Sequence, residues 1–124
     1  MATIAPTVTQ PNADSVRITW VDVTENDTCG VYEGLSEYAD RSVQVSGTFS
    51  GMSVDIQGSD EYDGREYPSG EFNTLNDTFG NPLTFSAAGG PTQINEYCHA
   101  IKPSRSGGSG SSVRITINAR RHKG

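Results

Sequence analysis

The segment SVRIT at residues 15–19 recurs at residues 112–116, near the other end of the chain. In both copies apolar and polar residues alternate, which is the pattern of a half-buried strand. A chain of 124 residues has room for about one hydrophobic core, so a duplicated domain does not fit. The two segments are therefore predicted to be neighbouring strands of one sheet. Their Val and Ile side chains and Trp20 face inward, and their Arg and Thr side chains face outward.

Further strands are predicted from the same alternation, with Gly, Asn, Asp and Ser in the turns between them. The segment FSGM at 49–52 predicts the turn of a hairpin between the strands at 41–49 and 52–56. A strand at 94–101 is expected to be broken at Pro103, and SRSGGSGSS at 104–112 predicts a flexible loop. About eight short strands with turns every 8 to 12 residues or so predict an all-β fold, an antiparallel jelly-roll-like β-sandwich.

The charges divide the chain into an acidic body and a basic end. Residues 1–101 contain three basic and all fifteen acidic residues, whereas residues 102–124 contain six basic residues and no acidic one. We expect an N-terminal arm at 1–14, a single β-sandwich domain at 15–119 and a basic C-terminal tail at 120–124. The basic end suggests contact with an acidic surface or with the body of a neighbouring copy; the alternative is a tail that frays into solvent.

Membrane spans and export signals are not expected. No apolar run approaches the roughly 20 residues that cross a bilayer, and the first residues lack the positive start and apolar stretch of a signal peptide. The chain is therefore expected to be made in a cytosol. There Cys29 and Cys98 are predicted to stay reduced rather than to form a disulfide.

Catalytic, cofactor and metal signatures are not found in the sequence. Cys98 and His99 would point to opposite faces of a strand, so a core cysteine and a surface histidine are favoured over a reactive pair. The 60–66 loop has Tyr62 and Gly64 where an EF-hand needs oxygen ligands, so a solvated loop is favoured over a calcium site. We predict a protein that is not an enzyme and uses no cofactor. The acidic residues of that loop are Asp60, Glu61, Asp63 and Glu66.

Nucleic-acid binding is not predicted to be specific, because the basic residues near the C-terminus have no aromatic neighbours and the acidic body repels phosphate. Trp20 shares the inward phase of its strand, so it is expected to pack in the core rather than stack on a ligand. Tyr62 and Tyr67 are better candidates for stacking on a glycan. The segment NDTFG at 76–80 predicts a turn.

Three longer segments carry a resemblance to a known class of proteins. They are ADRSVQVSGTFSGMSVDIQGSDEYDG at 39–64, TLNDTFGNPLTFSAAG at 74–89 and INEYCHAIKPSRSGGSGSSVRITINARR at 94–121. Together they resemble the small virion proteins of tailed bacteriophages, in particular the cement, or decoration, proteins on the outside of capsids. Residues 1–14 and 24–38 are not covered by the resemblance.

The resemblance implies a jelly-roll or related β-sandwich that acts as a homo-oligomer on the outer capsid surface of the virion. The implied partners are the major capsid protein and the chain itself, as a homodimer or homotrimer. Its functional residues would then be interface residues, expected in the loops and termini of a rigid domain. The alternative is a carbohydrate- or receptor-binding module of a phage head or tail fibre. The candidate interface residues are Ile4, Pro6, Val8, Arg120, Arg121 and Lys123.

Overall fold

The computed structural model describes residues 2–33, 38, 40–59, 72–95 and 98–121. These residues form twelve strands and no helix. The strands are β1 (Ala2–Ile4), β2 (Thr7–Asn12), β3 (Ser15–Val23), β4 (Asp27–Cys29), β5 (Tyr32–Glu33), β6 (Asp40–Thr48), β7 (Met52–Ser59), β8 (Asn73–Thr74), β9 (Thr84–Phe85), β10 (Gly89–Gln93), β11 (Ala100–Gly107) and β12 (Ser112–Arg120).

Two sheets face each other across one core. The first has the order β10-β6-β12-β3-β2 and the second the order β5-β11-β7-β8, with β9 also paired to β7. Among the eight strands β3, β5, β6, β7, β8, β10, β11 and β12, most connections pass from one sheet to the other, which is the jelly-roll arrangement, and the all-β sandwich prediction is confirmed. Eight strands build this pattern, which matches the predicted number, although β10 was not among the predicted strands; β1, β2, β4 and β9 are additions to it.

The two SVRIT segments lie in adjacent central strands, as predicted. In the antiparallel pair of β3 and β12, Ile18 is opposite Ile117 and Trp20 is opposite Ile115. All four side chains are fully buried. A bulge at Asp22, whose φ is 53°, inserts one residue into β3 and so returns Val23 to the core opposite Val113.

The FSGM prediction was right about the turn and wrong about the hairpin. Phe49 accepts a hydrogen bond from Met52 N–H at 2.7 Å, so the chain does reverse there. However, β6 pairs with β10 and β12, whereas β7 pairs with β11, β8 and β9. The turn therefore carries the chain from one sheet to the other, and Phe49 and Met52 are both buried between the sheets. Alternation predicts strands equally well on either side of a hairpin or of such a crossover.

The predicted break at Pro103 and the predicted start of a loop at Ser104 are also wrong, because β11 continues to Gly107. Pro103 lies opposite Ile56 of β7. Ile56 gives its N–H to Leu83 O at 3.0 Å and accepts from Leu75 N–H at 2.8 Å, on the side of β7 away from β11. The pairing of β11 with β7 therefore requires no hydrogen bond from residue 103. A proline, which lacks an N–H, is compatible with this position.

The segment predicted as an N-terminal arm lies against the sandwich as β1 and β2. β1 runs parallel to β4, with Ile4 opposite Cys29, and Gly30 N–H donates to Ile4 O at 2.8 Å. β2 pairs antiparallel with β3 and forms the margin of the five-stranded sheet. Trp20 Nε1 donates a hydrogen bond to Gly30 O at 2.9 Å. Gly30, which binds β1 through Ile4, is thus itself hydrogen-bonded to a core side chain.

Candidate interface surface

The outer face of the five-stranded sheet is flat and polar. One row of outward residues crosses all five strands in the order Gln93, Ser42, Asn118, Arg17 and Thr9. Arg17 Nε donates to Asn118 Oδ1 at 3.1 Å, which fixes the guanidinium across two strands. We call the centre of this face the polar sheet face; its members line a shallow depression of about 380 Å³ and are Arg17, Thr19, Gln44, Ser46, Arg114, Thr116 and Asn118.

The alternation of β3, β6 and β12 builds this face. Because β12 pairs on both sides, its outward residues Arg114, Thr116 and Asn118 are flanked by those of β3 and β6. Threonine suits a strand and also presents a hydroxyl, so the face combines strand propensity with hydrogen-bonding capacity. Its two arginines provide planar donor groups that match carboxylates. The face is therefore suited to an acidic, polar protein surface.

A second cleft of about 480 Å³ adjoins the polar sheet face at the end of the sheet. Asp40 and Arg120 stand opposite each other there, with 3.6 Å between Arg120 Nη2 and Asp40 Oδ2. Both side chains are largely exposed, so this ion pair contributes little to stability and is open to a partner. The cleft is lined by Ser15, Asp40, Arg41, Ser42, Gln93, Asn118, Ala119 and Arg120.

The predicted tail residue Arg121 meets the end of the N-terminal segment. Arg121 N–H donates to Asp14 O at 2.7 Å, and its guanidinium lies 5.6 Å from the centre of the Tyr38 ring. Gln10 Nε2 approaches the Tyr38 hydroxyl at 3.5 Å. The pairing of β3 with β12 thus brings the end of the N-terminal segment to Arg121, whereas the start of that segment lies elsewhere on the sandwich.

The other predicted interface residues lie away from Arg120 and Arg121. Ile4 and Pro6 are half-buried, and Ile4 packs against the core near β4. Val8 lies on the marginal strand β2 with 47% of its surface exposed. Lys123 lies outside the described residues, as do Tyr62, Tyr67 and the acidic loop at 60–66. The described candidates therefore occupy separate places on the sandwich.

The sequence predictions missed the polar sheet face as a site. The signal was present, because the outward phase of both SVRIT segments was predicted to carry Arg and Thr. What was missing was β6, which supplies Gln44 and Ser46 next to β12 only through the jelly-roll topology. The hairpin predicted at FSGM gave β6 a partner in β7 and gave no reason to place β6 beside β12.

The NDTFG segment forms a stiff turn that presents an aromatic side chain. Asp77 Oδ1 accepts hydrogen bonds from Phe79 N–H at 2.9 Å and Asn81 N–H at 3.0 Å. Asp77 N–H donates to Asn81 O at 2.8 Å, which closes the turn. Phe79, which lies in this turn, is 88% exposed. The predicted turn is confirmed, and a single exposed aromatic residue is ordinary on a protein surface.

Two carboxylates, Glu25 and Asp27, accept hydrogen bonds at the end of the sandwich opposite Asp40 and Arg120. Hydrogen bonds from its own N–H and from Gly110 N–H hold the pKa of Glu25 below its usual value. Hydrogen bonds from the N–H and hydroxyl of Thr24 likewise lower the pKa of Asp27. Glu25 thereby ties the turn after β3 to the loop between β11 and β12. Both groups serve local structure, in contrast to the pair of Asp40 and Arg120.

Cys29 and Cys98 are both buried, and no disulfide joins them. Burial raises the pKa of Cys29 to about 11. At pH 8 we therefore expect iodoacetamide to alkylate Cys29 about 100-fold more slowly in the native protein than in the urea-unfolded chain, because only the thiolate reacts. Mass spectrometry of peptides after timed quenching measures the rate. Equal rates in native and unfolded protein would contradict the buried position.

Cys98 is buried and His99 is partly exposed, as predicted, but the predicted reason is wrong, because both residues precede β11 and the strand predicted at 94–101 begins only at Ala100. Cys98 is buried, whereas the His99 side chain is 37% exposed and its Nε2 lies 3.8 Å from Glu33 Oε2. Across the described ranges, no three His, Cys, Asp or Glu side chains converge in a way that would hold a metal ion. The described residues also include no helix long and apolar enough to cross a membrane.

Comparison with known proteins supports the fold. The sequence matches no protein-family model and no curated protein. Among solved structures, the chain is similar to the SPBc2 prophage-derived protein YomS, with a TM-score of 0.55. The similarity covers 90% of this chain and 99% of that chain at 9% sequence identity. At this identity the likeness shows that the two proteins share the fold.

Proposed function

We propose that this chain is a bacteriophage capsid decoration protein, a non-enzymatic component that binds the outside of the shell and stabilises it. The observation that carries the proposal is the polar sheet face, a preformed surface that β3, β6 and β12 build together. Two further findings support it. The sequence segments resemble decoration proteins, and a protein of similar fold comes from a prophage. The proposed partners are the major capsid protein and further copies of this chain.

The size of the polar sheet face bears on how it would bind. Strands lie about 4.8 Å apart and rise about 3.4 Å per residue, so a face built on three strands and about five residues of each measures roughly 15 by 17 Å, or roughly 250 Å². A stable protein interface buries about 800 Å² on each partner. One face alone is therefore small for durable attachment. Several linked copies, in a homodimer or homotrimer, would bind far more tightly through effective concentration.

The test compares charge reversal on the two outer sheet faces. Arg114→Glu changes the polar sheet face, and Lys102→Glu makes the same change in charge on the outer face of the second sheet. Capsids purified from a phage lacking this chain are mixed with each purified protein and sedimented. We expect the wild type and Lys102→Glu to sediment with capsids at a fixed ratio. Arg114→Glu is expected to bind at least about tenfold more weakly, a loss of about 1.4 kcal/mol.

Three outcomes would count against the proposal. The first is absence of the chain from purified wild-type particles, and the second is equal binding by both variants. The third is equal weakening by both variants, which would mean that overall charge rather than the polar sheet face determines attachment. Circular dichroism and thermal unfolding of both variants verify that each remains folded.

The alternative function, a glycan- or receptor-binding module, requires exposed aromatic rings. Trp20 is fully buried and is not available for it. Among its described members the polar sheet face has no aromatic residue. Tyr62 and Tyr67, the remaining candidates, lie outside the described residues. This alternative stays a prediction, and a glycan array with the purified chain tests it.

A further inference from the structure

The edge strands of the two sheets, which we call their margins, differ in how well they are protected against pairing with another strand. Proteins commonly block such margins with very short strands, proline or charge. Among the described strands, β5, β8 and β9 have two residues each. The margin at β10 contains Pro91 between glycines and threonine, with a register shift against β6. The margin at β2 is six residues long; near its end it has Pro11 and a register shift between Thr9 and Asn12, and Thr7–Thr9 form its regular, uncharged part.

The sequence of β2 suits pairing with another strand. Thr7, Val8 and Thr9 are β-branched and uncharged, and Pro6 and Pro11 bracket the stretch that contains them. Val8 lies opposite Ile18, so it points to the core side of the sheet. Nevertheless it is 47% exposed, because the described chain places no strand beyond β2. β2 therefore offers both a free backbone edge and an uncovered apolar side chain.

We propose that β2 pairs antiparallel with β2 of a second copy, around a two-fold axis at Val8. The order Thr7, Val8, Thr9 reads the same in both directions, so this register is self-complementary. Val8 would face the partner's Val8, and Thr7 would face the partner's Thr9. Apolar and Thr–Thr pairs across strands are favourable, and the two valines would cover each other. A two-fold contact of this kind uses the same patch on both copies.

A second copy is favoured over another protein because of this symmetry. The pairing joins two five-stranded sheets into one and places the two polar sheet faces on the same side of it, separated by the two β2 strands. Their combined extent, roughly 500 Å², is closer to the roughly 800 Å² on one side of a stable interface. This use of the dimer rests on the proposed function, whereas the dimer itself does not.

Analytical ultracentrifugation of the purified chain tests the pairing without any capsid. We expect the wild type to form a concentration-dependent dimer. Val8→Asp is expected to weaken it at least about tenfold, because two carboxylates would stand directly opposite each other. Gln93→Asp, on the opposite margin of the same sheet, is the matched control and should dimerise like the wild type. Fluorescence of the buried Trp20 verifies that Val8→Asp remains folded.

Cross-linking tests the register. Val8→Cys should form a disulfide-linked dimer on mild oxidation, and Gln93→Cys should not. The proposal is overturned by a wild type that is monomeric throughout, by a trimer, by a dimer that survives Val8→Asp, or by equal loss in Gln93→Asp. A complex through β2 with capsid protein but not with itself would overturn it too. Arg114→Glu should leave the dimer intact, so failure of capsid binding and failure of pairing are distinguishable.

Discussion

Replacing Trp20 with alanine is expected to lower the free energy of unfolding by about 4 kcal/mol, the range found when a large buried aromatic side chain is removed. Trp20 is fully buried between the sheets and donates its indole N–H to Gly30 O at 2.9 Å. The substitution removes the packing and leaves that carbonyl without its donor. Because Trp20 is the only tryptophan in the chain, unfolding is measured by far-ultraviolet circular dichroism in urea.

Trp20→Phe is the matched control, since it keeps an aromatic ring in the core but cannot donate to Gly30. We expect a loss of about 2 kcal/mol, from the smaller volume and the missing hydrogen bond. Because Gly30 also binds β1, the phenylalanine variant should loosen residues 2–4, and amide hydrogen exchange at Gly30 reports this. A fully stable alanine variant would contradict the position of Trp20 in the core.

Gly47→Ala is the second substitution with a large expected effect, a loss of about 3 kcal/mol. Gly47 pairs with Val113 between the central strands β6 and β12 and has a φ of 109°. A Cβ at this position would overlap the carbonyl oxygen of Ser112 and lie 3.0 Å from Val113 Cα. Both obstacles are backbone, so β6 and β12 would have to move apart where β6 ends and β12 begins.

Gly80→Ala is the control that separates the cost of a positive φ from the cost of the steric clash. Gly80 also has a positive φ, 84°, but a Cβ there meets no atom within 4 Å. We therefore expect a loss of only about 1 kcal/mol, the cost of placing alanine in the left-handed region. Both variants are measured by urea unfolding monitored by Trp20 fluorescence. If the two losses were equal, the close approach of β6 and β12 at Gly47 would be wrong.

The sequence predicted the parts of the fold that depend on alternation within a strand. The inward phase of Val16, Ile18 and Trp20 was correct because a strand has a period of two residues, and burying one face selects that phase. Pairing of the first and last long strands was also correct. It followed from the matching patterns of the two SVRIT segments.

Features that depend on residues distant in the chain were harder to predict from the sequence. The turn at FSGM obeys the same local rules whether it closes a hairpin or crosses between sheets. Pro103 is acceptable in β11 only because Ile56 directs its hydrogen bonds to the other side of β7. Neither fact is visible in residues near FSGM or Pro103.

The same limit applied to the candidate surface. Arg114 and Thr116 were placed on the outward side of a strand from the sequence alone. Their neighbours Gln44 and Ser46 come from a strand more than sixty residues earlier, and only the topology brings them together. Individual outward residues were predictable, whereas the surface that they form was not.

The central place of β12 has a consequence for biosynthesis. β12 lies between β6 and β3, and it is translated after every other strand described. A nascent chain that stops short of residue 112 has made the two flanking strands but lacks the one that joins them. Such a chain can form neither the continuous core nor the polar sheet face, and its open strand edges favour aggregation. Folding of the sandwich therefore waits until β12 has left the ribosome, and a prematurely terminated product lacks the surface that the intact chain presents.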